Sequence, residues 1–279
     1  MTLFLGARKM AGSVMCGLAI ALSVLVHAGP LSAQPAGMSL QLSYEVEWGG
    51  VDVATATAHW VFGEDSFELV ARSETVGVTG SLRSYRGLTE LTGRIEDGRY
   101  VPHRLSISGV SKDRTREAYT TWAPRTGTIA TQRDPKPDLK KVFPLEDEHI
   151  DGAIDPFSAM LNALDHIART GSCAGTARVY DGLRTSELTL HDLGTAGLEK
   201  DRPFAYRGRA LVCGFVGRPT GGHQRRSRWR QKAPKPEDVQ VFIAEVQPGL
   251  FIPVRIQADA FLGTVTARLV MPSLKYEPK

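Results

Sequence analysis

Residues 39–62 read SLQLSYEVEWGGVDVATATAHWVF, and this stretch decides the fold. From Ser39 to Trp48 apolar and polar residues alternate, so Leu40, Leu42, Tyr44, Val46 and Trp48 fall on one face of an extended strand. Gly49-Gly50 can supply the positive φ of a tight turn, after which Ala54, Ala56, Ala58, Trp60 and Phe62 share one face again. The pair reads as a β-hairpin. Downstream, further alternating runs stand between turn signals: Ser66 to Glu74, Leu88 to Glu96, Arg104 to Gly109 and Thr115 to Trp122. Short strands at this spacing predict an antiparallel sandwich or barrel.

The stretch Thr131 to Gly152, with Pro135, Pro137, Pro144 and many charges, reads as a long crossing loop. A single helix is predicted after it, over about 155–170. Asp155 suits the N-cap and Pro156 the first helical turn, and Phe157, Met160, Leu161, Leu164 and Ile167 recur at helical spacing until Gly171. Strands resume at Ala177 to Tyr180, Leu183 to Leu190, Ala210 to Phe215, Val239 to Val246, Phe251 to Ala260 and Thr264 to Val270.

At the N-terminus, Arg8 and Lys9 precede an uncharged run from Met10 to Val26, and small residues lead to Leu31-Ser32-Ala33. This is the order of a secretory signal, cut near Ala33 with Ala28 as a second option. The run is shorter and more diluted with Gly and Ser than the ~20 apolar residues of a membrane anchor. The expected domains are therefore a signal peptide over 1–33 and one β-rich periplasmic domain over 34–279, without a transmembrane segment. That product carries 32 basic against 30 acidic side chains, which argues against a nucleic-acid partner.

Removing the signal leaves two cysteines, Cys173 and Cys213, in a compartment that oxidises thiols. A disulfide between them would tie the end of the helix to a later strand; two buried free thiols are the alternative.

The spacings that carry chemistry are missing from the sequence: no G-x-S-x-G, no S-x-x-K and no H-E-x-x-H. Asp147, His149, Asp151 and Gly152 partly match a calcium loop, but His149 replaces an oxygen ligand and Ser158 stands where a bidentate Glu is needed. No catalytic residue, metal site or cofactor is assigned. The candidate contact for an anionic ligand or partner is the basic run Arg225, Arg226, Arg228, Trp229, Arg230 and Lys232, whose plain alternative is a solvated loop.

Several short motifs carry a resemblance: Ile154-Asp155-Pro156-Phe157-Ser158-Ala159-Met160-Leu161, Val179-Tyr180-Asp181-Gly182-Leu183-Arg184, Tyr206 to Cys213, and Pro253-Val254-Arg255-Ile256. They resemble the bacterial exported family called domain of unknown function 3108. The strand–helix–strand order is more loosely similar to periplasmic β-spiral envelope-integrity proteins. The resemblance implies a long antiparallel sheet curled into an open barrel or β-spiral and packed on the one helix, with no established activity. The expected function is noncatalytic support of the cell envelope through binding a periplasmic protein or envelope component. A carrier of a lipid or other apolar ligand and an uncharacterised hydrolase are the alternatives.

Overall fold

The computed structural model describes residues 37–82, 84–112, 114–123, 129–225, 235–260, 263–271 and 275–278, and these belong to one compact unit. The expected signal segment and its expected cleavage position lie outside the described residues.

The first half of the chain is a meander: β1 (Met38–Trp48), β2 (Val51–Phe62), β3 (Ser66–Thr75), the short helix α1 (Gly77–Leu82), β4 (Tyr85–Glu96), β5 (Arg99–Ser111), β6 (Arg114–Trp122) and β7 (Ile129–Asp134). After α2 (Asp147–Ile150) and α3 (Pro156–Thr170) comes a second meander of β8 (Gly175–Tyr180), β9 (Thr185–Leu198), β10 (Gly208–Gly221), β11 (Val239–Gln247), β12 (Leu250–Ala260) and β13 (Gly263–Leu269). The order across the sheet is β7-β6-β5-β4-β3-β2-β1-β13-β12-β11-β10-β9-β8, antiparallel throughout. β1 joins the halves: Tyr44–Trp48 pair with β13, and Met38–Gln41 pair with a final strand, β14 (Lys275–Pro278).

The opening hairpin forms as its sequence dictates. Gly49 and Gly50 take φ of 58° and 87°, the left-handed pair that lets a two-residue turn follow the twist of its strands. One β-bulge, between Val46 and Glu47, shifts the register near the tip.

α3 is set by local chemistry at both ends. Asp155 Oδ1 accepts hydrogen bonds from the amides of Phe157 (2.8 Å) and Ser158 (3.1 Å), and Pro156 occupies a position that needs no donor. At the far end Gly171 adopts φ 71° and its amide returns to Ile167 O. Between them Ala159, Leu161, Leu164 and Ile167 are buried.

The sheet curls round this helix. α3 packs on both β5 and β12, which are six strands apart in the sheet, and Asn162 exchanges two hydrogen bonds of 2.9 Å with the backbone of Tyr100 on β5. The edges β7 and β8 approach each other without backbone pairing. Side chains span the seam: Arg133 of β7 donates to Tyr180 OH of β8 (2.7 Å), whose proton goes to Gly182 O or Thr131 Oγ1. Ile154 forms a parallel bridge with Val179, and the Trp122 indole donates to Ala153 O (2.9 Å). The fold is thus an open barrel, stitched where it does not close.

Cys173 and Cys213 are bonded, 40 residues apart in sequence, and fasten the end of α3 to β10. Asp192 of β9 reinforces the same corner, accepting from Ser172 Oγ and the Cys173 amide, both at 2.6 Å.

Two expectations need correction. The stretch Thr131 to Gly152 is not wholly a crossing loop: Ile129–Asp134 form edge strand β7, because Ile129, Thr131 and Arg133 alternate inward against β6, and Asp147–Ile150 form a helical turn. The helix of 155–170 is also joined by α1 and α2, each too short to show a periodicity. Among the described residues no helix is long and apolar enough to cross a membrane.

Candidate functional site

Three neighbouring strands change character together along their inner faces. Trp60, Leu69 and Leu91 stand side by side on β2, β3 and β4, all buried. One step nearer the β1–β2 turn the row is Ala58, Ala71 and Thr89, and the next is Ala56, Ser73 and Gly87. Large side chains fill the barrel where α3 crosses it, and small ones leave it hollow beyond.

The result is a cavity of about 270 Å³ between these strands, β1, β12 and one flank of α3. Phe157, Met160, Leu161 and Leu164 form its helical wall, with Phe251 and Ile256 of β12 beside them. Trp60 anchors the wall, its ring 6.2 Å from that of Phe157 in an edge-on arrangement. The lining is overwhelmingly apolar. Tyr44 brings a phenol, but it donates to Pro253 O (2.8 Å), and burial pushes its pKa upward, so it stays neutral. Thr57 and Arg72 border the cavity at positions where strand alternation puts the side chain on the opposite face of the sheet.

An apolar hollow of this kind is a poor host for water, which needs two to four polar partners, and one of only ~150 Å³ already takes up benzene. The space here exceeds that and admits a single slender apolar chain.

A second hollow, of about 370 Å³, lies on the outer face of β2 to β5 and is bordered by Thr55, Arg72, Glu74, Arg86 and Ser108. It is open and carries side chains of both charge signs beside the apolar Leu88 and Val110.

Ionised side chains gather elsewhere. On the outer face of β1, β12 and β13, Arg268 bridges Glu47 (2.9 Å) and Asp201 (2.8 Å), while Arg202 pairs with Glu47 (2.8 Å) and Arg255 with Asp201 (3.0 Å). Burial raises the Glu47 pKa, but hydrogen bonds from Arg202 and Arg268 outweigh it and hold the carboxyl below its ordinary range. Asp201 is likewise lowered, burial again opposing and Arg268 and Arg255 prevailing. Asp201 and Arg202 belong to the β9–β10 loop, so this network clamps that loop to the sheet.

The remaining sequence candidates are dispersed. Asp147 to Ile150 are helical, and no three His, Cys, Asp or Glu side chains converge as a metal site among the described residues. Of the basic run, Arg225 stacks its guanidinium 4.9 Å from the Phe143 ring centroid, and its amide donates to Lys141 O. Arg226, Arg228, Trp229, Arg230 and Lys232 lie outside the described residues. Sequence reading missed the cavity, because its signal is a register of small residues across strands rather than a motif in any one of them.

Comparison with known proteins decides the family. Residues 43–270 match the family of proteins of unknown function DUF3108. The chain belongs to DUF3108. Among solved structures this DUF3108 chain is similar to a β-barrel-like protein of domain of unknown function DUF1849 from Brucella abortus, with a TM-score of 0.51 and 11% identity, over 88% of this chain and 99% of that one. At that identity the likeness concerns the fold alone. No curated protein matches this DUF3108 member.

Proposed function

We infer that this protein is a noncatalytic carrier that holds a single apolar chain, such as the acyl part of an envelope lipid, in the cavity between α3 and the sheet, and that it works outside the cytoplasm. The observation that carries this reading is the 270 Å³ hollow itself, apolar and walled by a helix that the disulfide fixes at one end. Its size falls just below the usual range of small-molecule sites, which suits one chain rather than a multi-chain lipid. The wall offers only neutral polar groups, Tyr44, Ser73 and Thr89, which favours an uncharged buried portion.

The periplasmic setting is supported by the signal-like N-terminus and by a disulfide that an oxidising compartment maintains. Support of the envelope then follows from what is carried, since a lipid is an envelope component. The noncatalytic part of the reading draws on the missing catalytic spacings.

Native mass spectrometry of protein purified from its own host tests the proposal. A retained small molecule, extractable into organic solvent and displaced by the uncharged probe N-phenyl-1-naphthylamine, is the expected result. Protein that emerges empty and does not brighten the probe overturns it, and turnover on ester, glycoside or peptide panels overturns the noncatalytic assignment.

A further inference from the structure

On β1, β2 and β13 the inner face that holds the cavity stays apolar out to one end of the barrel. On β1 the inward series Leu42 and Tyr44 continues through Val46 to Trp48, and Val265 of β13 stands opposite Trp48. At that end the apolar residues emerge into solvent: Trp48 is 41% exposed, and Val51 across the turn is 56% exposed. α1 is tied to the same end, since the amide just before it, that of Val76, donates to Val53 O of β2 (3.0 Å), and it presents Val78 at 68% exposure. Tyr85 opens β4 at this end, 40% exposed, lying over Gly87 and Gly109 on the inner face. Four of the seven large apolar side chains exposed among the described residues thus lie on this one rim.

The same rim carries positive charge. Arg114 and Arg116 of β6 are exposed and, by strand alternation, share the inner face with buried Ala118 and Thr120. Neither has an acidic partner among the described residues. The opposite end of the same strands is different in kind: its turns carry Glu64, Asp65, Glu96 and Asp97. The rim thus joins apolar side chains to two arginines, the acid beside Val51, Asp52, being paired with Arg202 (3.5 Å), while at the other end Arg94 pairs with Asp65 and Glu96.

Isolated exposed apolar residues need no explanation, but a Trp and a Tyr beside two aliphatics, flanked by exposed arginines, have the chemistry of a membrane interface. Indole and phenol rings settle at the headgroup level, and cations are drawn to anionic lipid. We propose that the rim bearing Trp48, Val51, Val78, Tyr85, Arg114 and Arg116 docks on an anionic lipid bilayer surface. This extends the carrier reading, because docking there presents the apolar inner face to the bilayer, yet it stands on the surface chemistry of the rim and is tested separately from cavity occupancy.

The test is flotation of the mature chain with vesicles of phosphatidylcholine alone or mixed with about one-third phosphatidylglycerol. Wild-type protein floats with the anionic vesicles and is released as salt rises. Trp48→Ser with Val51→Ser removes the apolar pair at the turn, and is expected to weaken binding about tenfold or more when assayed well below the variant's own melting temperature. Neutralising Arg114 and Arg116 to Gln costs about fivefold for each arginine, and this loss disappears on neutral vesicles. Glu64→Ser with Asp65→Ser, at the other end, leaves binding unchanged. Wild-type protein that ignores anionic vesicles, or rim variants that float as well as wild type, overturns the proposal. So does a concentration-dependent dimer that the Trp48 variant abolishes, since the rim would then be an interface between copies. Vesicle binding that survives alongside a cavity unable to take up probe refutes the carrier reading alone.

Discussion

Replacing Ala58 by leucine distinguishes a real hollow from a core that is already full. Ala58 lies between Trp60 and Ala56 on the inner face of β2, half-buried, with the cavity in front of it. The substitution adds three carbon groups, each giving about 0.8 kcal/mol when fully buried, so the ceiling is about 2.4 kcal/mol. Part of the new side chain remains near the open side, which reduces the expected gain to about 1–2 kcal/mol. For a domain of this size each kcal/mol moves the midpoint by about 2–4 °C, so the variant should melt about 2–8 °C above the wild type. A packed core would respond with the opposite sign, since inserting methylenes there costs about 1–3 kcal/mol. The assay is thermal unfolding of the disulfide-intact protein, paired with N-phenyl-1-naphthylamine titration. A stabilised variant that no longer binds probe agrees with the geometry. A destabilised variant, or one that binds probe as well as wild type, refutes it.

Three further outcomes follow from named contacts. Glu47 and Asp201 have lowered folded-state pKa values, so their contribution is fully present above the ordinary carboxylate range and is lost as pH falls through the depressed values; Glu47→Gln should flatten the acid limb of a stability–pH curve measured by urea unfolding. Asp155 has the opposite sign, since burial, opposed by hydrogen bonds from Ser158 and the Phe157 amide, raises its pKa. Its favourable contribution is complete below the unfolded pKa and declines as pH rises through the folded one. Asp155→Asn keeps an acceptor for both amides, so its stability relative to wild type should improve over that rise, whereas Asp155→Ala should cost about 1 kcal/mol through loss of the cap. Replacing Cys173 and Cys213 together by serine removes a cross-link over 40 residues, and chemical denaturation should show a loss of about 4 kcal/mol with α3 still helical by circular dichroism.

The elements that sequence revealed are those whose determinants lie within a few residues of one another. α3 announced itself because its cap, its proline, its apolar period and its terminal glycine are all local. The opening hairpin did so because alternation and the Gly49-Gly50 turn sit on one short stretch. β7 was hidden by neighbouring prolines and charges, which dominated the composition, although only Ile129 to Asp134 needed to pair with β6. The cavity was hidden more deeply. Ala56, Ala58, Ala71 and Ser73 are ordinary strand residues one at a time, and only the register between β2 and β3 turns them into an absence of volume. Likewise Glu47 meets Arg268, which also pairs with Asp201, across more than 200 residues of chain, a distance over which no spacing rule operates.

The pairing of β1 with β13 has a consequence for how the molecule is made. The first strand to emerge during synthesis finds one neighbour at once, in β2, but its other side waits for nearly the last. Until then the early half of the sheet presents an unsatisfied edge that could template pairing with a stranger. Such a high contact order predicts slow maturation and a period of vulnerability to aggregation, during which a holding chaperone would raise the yield.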